Sequence, residues 1–465
     1  TVVDIIKGLI KEIENKYPVE DITASGIPVW QFLRNLYAYE LEQKHCPYSD
    51  LKKIRGVNYV KNALINYYWG KHNLVKHFSA VLFTDILEER IVNGKKIDKL
   101  AHNLITKMAD EILIVLDPVG KKHTSTTDYF HSHYMSIYNF ILPTKLKWTK
   151  YKINNFHLLV EIENELDLQL RYHDKVNHFF HYFEIFKKWI QKTQPKIIFI
   201  NCYFNLKHQA LICAAKQNKI ITVELQHGII SEAQTAYTIE KDIGRHTFPD
   251  YLLSFGEVEK KYVSDNFLPQ DKIIPIGNYY LEQMKDKNAN QETHEFASSL
   301  RKKYNKIVLV SSQTLIETPL IEFMSLVARE LPHTVFIFVP RRGKKISSIA
   351  PDLDNLLIQP DIDIYQFAPF CNYHSTVFST FASESLFMGI PNIFININGL
   401  SASYFLDMFS GNPAVKFSNN VKSYVKIINE WNPPENSYVM KMSKELFVDS
   451  NNDVIKNLID KTIQL

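Results

Sequence analysis

Cysteine is scarce: four residues, Cys46, Cys202, Cys213 and Cys371, lie far apart among 465, and no two form a CxxC pair. This excludes a disulfide framework and a structural zinc site, and it points to a reducing, cytoplasmic compartment. Glycine numbers only 14, which rules out collagen-like and glycine-linker architectures. No apolar stretch reaches the ~18 residues of a membrane span. Neither sign of charge dominates: 54 Lys and Arg against 50 Asp and Glu leave +4. That is too little for a nucleic-acid footprint, and no block of like charge forms a tail. The catalytic signatures GxxxxGK-S/T, GxGxxG, HExxH and GxSxG are all missing. The acidic pairs Asp352/Asp354 and Asp361/Asp363 fall in loops rather than at strand ends. Metal-independent chemistry with no cofactor is therefore expected.

What is present is globular. Apolar residues make up 45% and charged residues 22%, close to the average of folded domains, and the length suits two to three domains. The opening TVVDIIKGLIKEIENK reads as an amphipathic helix rather than a signal peptide. Residues 1–70 read as aromatic-rich helices, after which apolar runs alternate with helical stretches. SAVLFT (79–84) and EILIVLDP (111–118) are short buried strands. PKIIFINCYF, the helix HQALICAAKQNK (208–219) and IITVELQ (220–226) make a βαβ unit, and continuous apolar strands imply a parallel sheet covered on both faces. PDYLLSFG (249–256) and KIIPIGN (272–278) add two strands. After a polar stretch at 283–306, a second alternating series begins: KIVLVSSQ (306–313), TVFIFVPRR (334–342), NLLIQP (355–360), HSTVFST (374–380) and PNIFININ (391–398). The last ~65 residues look helical, by the same periodicity argument. The fold class is α/β, two Rossmann-like halves facing across a cleft: residues 1–282 with helical N-terminal additions, a linker at 283–305, and 306–465 with C-terminal helices.

The densest site signal is STFASESLFMGIP (379–391). Ser379, Thr380 and Ser383 cluster where a strand meets a helix start. Free amides and the helix dipole there attract phosphate by about 0.3–1 kcal/mol when exposed and up to ~2 when partly buried. Glu384, one turn in, suits ribose hydroxyls by the logic of dinucleotide folds. The same residues would equally make an ordinary N-cap. Gln226, His227 and Gly228 directly follow strand IITVEL. An imidazole at a strand end can act as a base near neutral pH, and Gly228 allows close approach. Arg341 and Arg342 end strand TVFIFVP and suit a diphosphate or a sugar-acid carboxylate, or else a solvated basic turn. Ser311, Ser312 and Gln313 close the first strand of the second half. In the first half, Asp85 and Arg90 follow SAVLFT and Asp98 lies in NGKKIDK. Asp85, Asp98 and His227 stay open as alternatives for the base that deprotonates an acceptor hydroxyl. Helix HFFHYFEIFKKWIQK (178–192), with Lys187, Lys188 and Trp189, is read as a core helix with a basic edge, or as a contact for a lipid-linked acceptor at a membrane surface.

The run KIIFINCYFNLKHQALICAAKQNKIITVELQHGII, followed by PDYLLSFGEVEKKY, KIIPIGN, KIVLVSSQ, TVFIFVPRR and HSTVFSTFASESLFMGIPNIFI, resembles bacterial surface-polysaccharide glycosyltransferases of the GT-B fold. These make capsule and lipopolysaccharide, and the teichoic-acid polyol-phosphate transferases are more distantly similar. The resemblance covers about residues 195–400, and more faintly 79–99. It implies a donor nucleotide held by the second domain on Ser379, Thr380 and Glu384, an acceptor on the first, and His227 in the cleft. Many relatives carry His-Pro after the strand matched by TVFIFV. This chain has Val339-Pro340-Arg341-Arg342 instead, so the nucleotide stays open.

The resulting expectation is a glycosyltransferase that moves a sugar from a nucleotide-activated donor, with CMP-linked acidic sugars among the candidates, to a glycan or lipid-linked glycan. No nucleic-acid partner is expected. The location is cytoplasmic, with peripheral contact at the inner face of the plasma membrane as a further expectation. A CDP-polyol phosphotransferase, a nucleotide-sugar epimerase and a non-catalytic sugar-binding protein are the competing readings.

Overall fold

The computed structural model describes residues 2–45, 57–92, 94–123, 133–285, 289–313, 316–341, 352–450 and 452–463. Two parallel sheets organise the chain. The first contains β1 (Ala80–Asp85), β2 (Ile112–Asp117), β3 (Tyr134–Ser136), β4 (Ile197–Ile200), β5 (Ile221–Leu225), β6 (Tyr251–Ser254) and β7 (Ile273–Pro275), in the order β3-β2-β1-β4-β5-β6-β7. The second contains β8 (Lys306–Ser311), β9 (Thr334–Val339), β10 (Leu356–Ile358), β11 (Tyr373–Thr376), β12 (Asn392–Ile395) and β13 (Val415–Ser418), in the order β10-β9-β8-β11-β12-β13. Every neighbouring pair in both sheets runs parallel.

Both sheets thus grow outward from their first strand and then restart on its other side. The reversal falls between β1 and β4 and between β8 and β11, and in open α/β sheets a crevice opens beyond the carboxyl ends at that point. The continuous apolar runs are explained by burial on two faces. In β1, Val81 and Phe83 enter one core while Ala80 and Leu82 enter the other. In β8, Ile307 and Leu309 divide from Val308 and Val310 in the same way.

Helices Val2–Lys16 and Trp30–His45 cap the first lobe. Arg34 fixes them: its Nε donates to Glu14 at 2.6 Å, both side chains being buried, and its guanidinium also donates to the carbonyls of Thr235 and Thr238. The helix expected at 178–192 spans Tyr172–Thr193. Trp189 is buried, with its ring edge-on to Phe83 and Phe140. Its apolar stripe therefore faces the core, which removes the membrane-contact reading for that residue. Among the described residues no helix is long and apolar enough to cross a membrane.

The polar stretch after residue 282 is mostly helix Gln291–Lys303, started by the Asn290 side chain, which accepts from the Thr293 amide at 2.8 Å. Its Ala297 and Leu300 already belong to the second lobe's core.

At the far end, the expectation that all of 306–465 belongs to the second lobe needs correcting. The segment around 443–450 runs back over the first lobe. The carbonyl of Glu445 accepts from the amides of Glu257 and Val258, Val448 N donates to Phe255 O, and Phe447 stacks on Phe255. A Cβ on Gly256 would lie 2.2 Å from the Glu445 carbonyl, and one on Gly277 2.4 Å from that of Val448. The closing helix Asn452–Ile463 then places Ile455, Leu458 and Ile459 in the first lobe's core, against β1, β2 and β4. Apolar periodicity identifies such a helix but does not say which lobe it covers.

Candidate active site

At the carboxyl edge of the second sheet, the Gln313 amide spans the switch point by donating to Phe378 O at 2.9 Å. Ser311 and Ser312 are both buried. Ser311 Oγ is committed to His374 Nε2 at 2.7 Å, and His374 is held on its other side by Asn392. Burial pushes the His374 imidazole down to about 4, so this is a neutral internal spine rather than a ligand surface. The helix after β11 is short, Phe381–Phe387. Its turn caps itself: Phe381 N donates to Ser379 Oγ, Ser379 N to Thr376 Oγ1, Ala382 N to Ser379 O, and Ser383 Oγ to Thr380 O. Thr380 reaches toward the other lobe, its Oγ1 lying 3.7 Å from where a Cβ on Gly228 would stand. Arg341 is exposed and its amide donates to Glu317. Arg342 lies outside the described residues.

The first sheet's edge is built from charge. Asn201 Nδ2 spans its switch point to Asp85 Oδ2 at 3.1 Å, and Asp85 Oδ1 accepts from Leu87 N. Burial pushes the Asp85 carboxyl up, with the neighbouring Asp117 adding to the shift. Asp117 pairs with Lys207 at 2.5 Å. Asp98 is fully committed, since its oxygens accept from Thr84 Oγ1, Leu100 N and Ala101 N. It is a buried cap, and burial raises its pKa. Arg90 donates to the carbonyls of Leu87 and Glu89.

Gln226 is a positioning residue. Its Nε2 donates to Gly228 O and to buried Glu259, and its Oε1 accepts from Phe255 N, which fixes the turn carrying His227. The His227 Nδ1 is enclosed and has no hydrogen-bond partner among the described residues. Burial pushes the ring down to about 4, so it is neutral at pH 7. Phe204 lies beside it, with ring centroids 5.8 Å apart.

The two edges are joined by an ion pair that sequence reasoning missed. Lys99 Nζ reaches across from the first lobe to Glu384 Oε1 at 2.6 Å, with the two side chains 11% and 3% exposed. Tyr365 donates to the other Glu384 oxygen at 2.8 Å. Glu88, in the turn directly after β1, was also missed. Burial pushes its carboxyl up to about 7, against the opposing pull of Lys99 and with reinforcement from Asp98 and Asp85. A group poised there is half ionised at neutral pH, which suits proton transfer. The run DILEER offered a signal for Glu88 only as a carboxylate just past a strand. Lys99 offered none, because its partner is 285 residues away. Among the described residues no three His, Cys, Asp or Glu side chains converge to hold a metal ion.

No protein-family model and no curated protein matches the chain. Solved structures do. MnaA of S. aureus, described with UDP, is 12% identical with a TM-score of 0.53, covering 83% of this chain and 97% of its own. HepE of Anabaena, described with UDP and glucose, is 12% identical at 0.51, covering 83% and 99%. The Methanocaldococcus jannaschii UDP-GlcNAc 2-epimerase is 13% identical at 0.50, covering 82% and 99%. At this identity the likeness establishes the architecture: two Rossmann-like domains of the GT-B kind.

Proposed function

We propose that the chain is an enzyme acting on a nucleotide-activated sugar, and that it transfers the sugar to a hydroxyl of a glycan acceptor. The observation that carries this reading is the pairing of two unlike sheet edges. An edge of ionisable groups with Glu88 and His227 meets a hydroxyl-bearing edge with Ser379, Thr380 and Glu384, through Thr380 beside Gly228 and Lys99 on Glu384. The UDP described with MnaA and HepE supports it through the shared architecture.

In the proposed step the acceptor oxygen attacks the anomeric carbon and the bond from that carbon to the nucleotide phosphate oxygen breaks. The acceptor proton passes to the Glu88 carboxylate. Neutral His227 accepts or donates a hydrogen bond to the sugar. Negative charge grows on the departing phosphate, where fixed donors such as the Thr380 hydroxyl act without reorganising. Glu384 can meet ribose hydroxyls only when Lys99 releases it, and the freed ammonium is then available to the phosphate. Surface-polysaccharide synthesis as the setting, and CMP or UDP as the nucleotide, belong to this proposal.

A second reading, epimerisation of the same nucleotide sugar, is favoured by the likeness to the M. jannaschii enzyme and by a carboxyl group already tuned near 7. It needs no acceptor. The test is thermal stabilisation by UDP, CMP, CDP and GDP, followed by product mass with the matching sugar nucleotide. A new glycoside plus free nucleotide supports transfer. An isomer of unchanged mass supports epimerisation. No stabilisation by any of the four rejects both.

A further inference from the structure

The run KLKWTKYK (145–152) leaves helix Tyr138–Lys145 on the surface of the first lobe. Its backbone is tied down. Lys147 N donates to Thr144 O, Thr149 O accepts from His181 Nε2 at 2.9 Å, and Tyr151 N donates to Asn177 Oδ1 at 2.9 Å. Tyr151 also stacks on Phe180, with ring centroids 4.7 Å apart. On this anchored segment Trp148 is 88% exposed and Leu146 78%, the two most exposed large apolar side chains among the described residues. A lone exposed apolar side chain is ordinary. Two such extremes, one residue apart on fixed backbone, contribute nothing to the fold and point to a contact outside it.

Positive charge surrounds them. The run holds Lys145, Lys147, Lys150 and Lys152 and no acidic residue, and none of the four makes an ion pair among the described residues. Burial pulls the Lys147 pKa down, and Lys188 on helix Tyr172–Thr193 pulls it further, with Glu184 opposing. An anion among these ammonium groups would relieve their repulsion. The segment also stands at the active-site end of the lobe. Helix Tyr172–Thr193 bonds its Thr193 carbonyl to His77, ahead of β1, while its Trp189 lies against Phe83, near the carboxyl end of β1. Continuing in that direction to His181 covers roughly 12 Å and leads past the carboxyl edge of the sheet.

Lysines alone would suit any polyanion. A Trp and a Leu projecting among them suit the headgroup boundary of a bilayer, where indole rings concentrate, aliphatic side chains are buried and lysines keep their charge at the phosphates. A polynucleotide would stack on the indole but leave Leu146 in water. We propose that segment 145–152 docks the protein on an anionic lipid bilayer, with Trp148 and Leu146 inserted and the lysines on lipid phosphates. The membrane contact expected of helix 178–192 thereby moves to its neighbour, with Trp148 in place of the buried Trp189. The proposal is independent of the sugar chemistry.

The experiment is co-sedimentation of the full chain with vesicles of phosphatidylcholine alone, or of an equimolar mixture with phosphatidylglycerol. Binding is expected to the mixed vesicles only, and to fall as salt rises. Trp148→Ala is expected to weaken it by about tenfold, and Lys150→Ala with Lys152→Ala by about tenfold or more. These side chains are exposed, so the melting curves of both variants should match that of the wild type. Lipid brominated in its acyl chains should quench the tryptophan fluorescence of the wild type and not that of Trp148→Ala. No binding to the mixed vesicles, equal binding to both vesicle types, equal binding by the wild type and both variants, or stronger retention on single-stranded RNA or heparin than on the vesicles would overturn the proposal. Quenching that persists in Trp148→Ala would do the same.

Discussion

The two sheets share a strand order but end differently. Around the carboxyl edge of the first stand Asp85, Glu88, Asp117, Lys207 and His227, several of them moved from their ordinary acidities by burial. Apart from the exposed Arg341 after β9, the second ends in Ser311, Ser312, Gln313, Ser379 and Thr380, all uncharged, and its Glu384 is neutralised by a lysine from the other lobe. One topology has therefore produced an edge of ionisable groups with shifted acidities and an edge that offers fixed dipoles. The division of labour in the proposed reaction follows from that difference rather than from any single residue.

The comparison breaks most visibly if the charged edge is silenced. Glu88→Gln is expected to lower turnover by about 10²–10⁴-fold while nucleotide affinity by calorimetry stays within a factor of two. Retained turnover would move the proton to another group and leave Glu88 as a mere neighbour of Lys99. Next in size is the contact between the edges. Lys99→Met leaves Glu384 buried without its counter-charge and is expected to cost about 3 kcal/mol in urea unfolding. The double variant with Glu384→Gln should recover most of that loss. If the single and double variants are equally unstable, the pair does not couple the lobes.

A third test separates the lobes by pH. Burial pushes Glu224 and Glu259, both in the first lobe, up to about 8 from an ordinary value near 4.5. A carboxyl with a raised folded-state pKa holds its proton more tightly when folded. Its contribution is complete below about 4.5 and is lost as pH rises through about 8. Thermal midpoints should therefore fall between pH 5 and 9, with hydrogen exchange rising first in the first lobe, and Glu224→Gln should flatten the slope. The smallest effect is expected at the neutral edge: Ser383→Ala removes one hydroxyl bond to Thr380 O and should cost about 1 kcal/mol or less. A loss several times larger would mean that the 379–383 turn carries more of the second lobe's stability than its short helix suggests.

How far the residues alone disclosed this molecule depended on the range of the forces involved. β4, β5, β8 and β9 were legible because burial on two faces leaves an uninterrupted apolar run. β3 and β13 were not. The first is three residues long, and the second keeps an exposed Lys416 in a four-residue edge strand. His227 stood out through its place after β5 and before a glycine. Asp98 looked equivalent to Asp85 until its hydrogen bonds revealed it as a cap. Glu384 was legible as a carboxylate near a helix start, whereas its partner Lys99 depends on how two lobes close, which no local pattern encodes.

The returning C-terminal segment bears on how the protein is made. The outer layer over β1, β2 and β4 includes Ile455, Leu458 and Ile459, which are translated only after the whole of the second sheet. During synthesis the amino-terminal sheet therefore waits, with one face lacking its final cover, until the intervening lobe has been translated. Domains that usually mature in the order of their synthesis must here finish together, and a chain cut before the helix Asn452–Ile463 keeps a bare apolar surface on its first lobe.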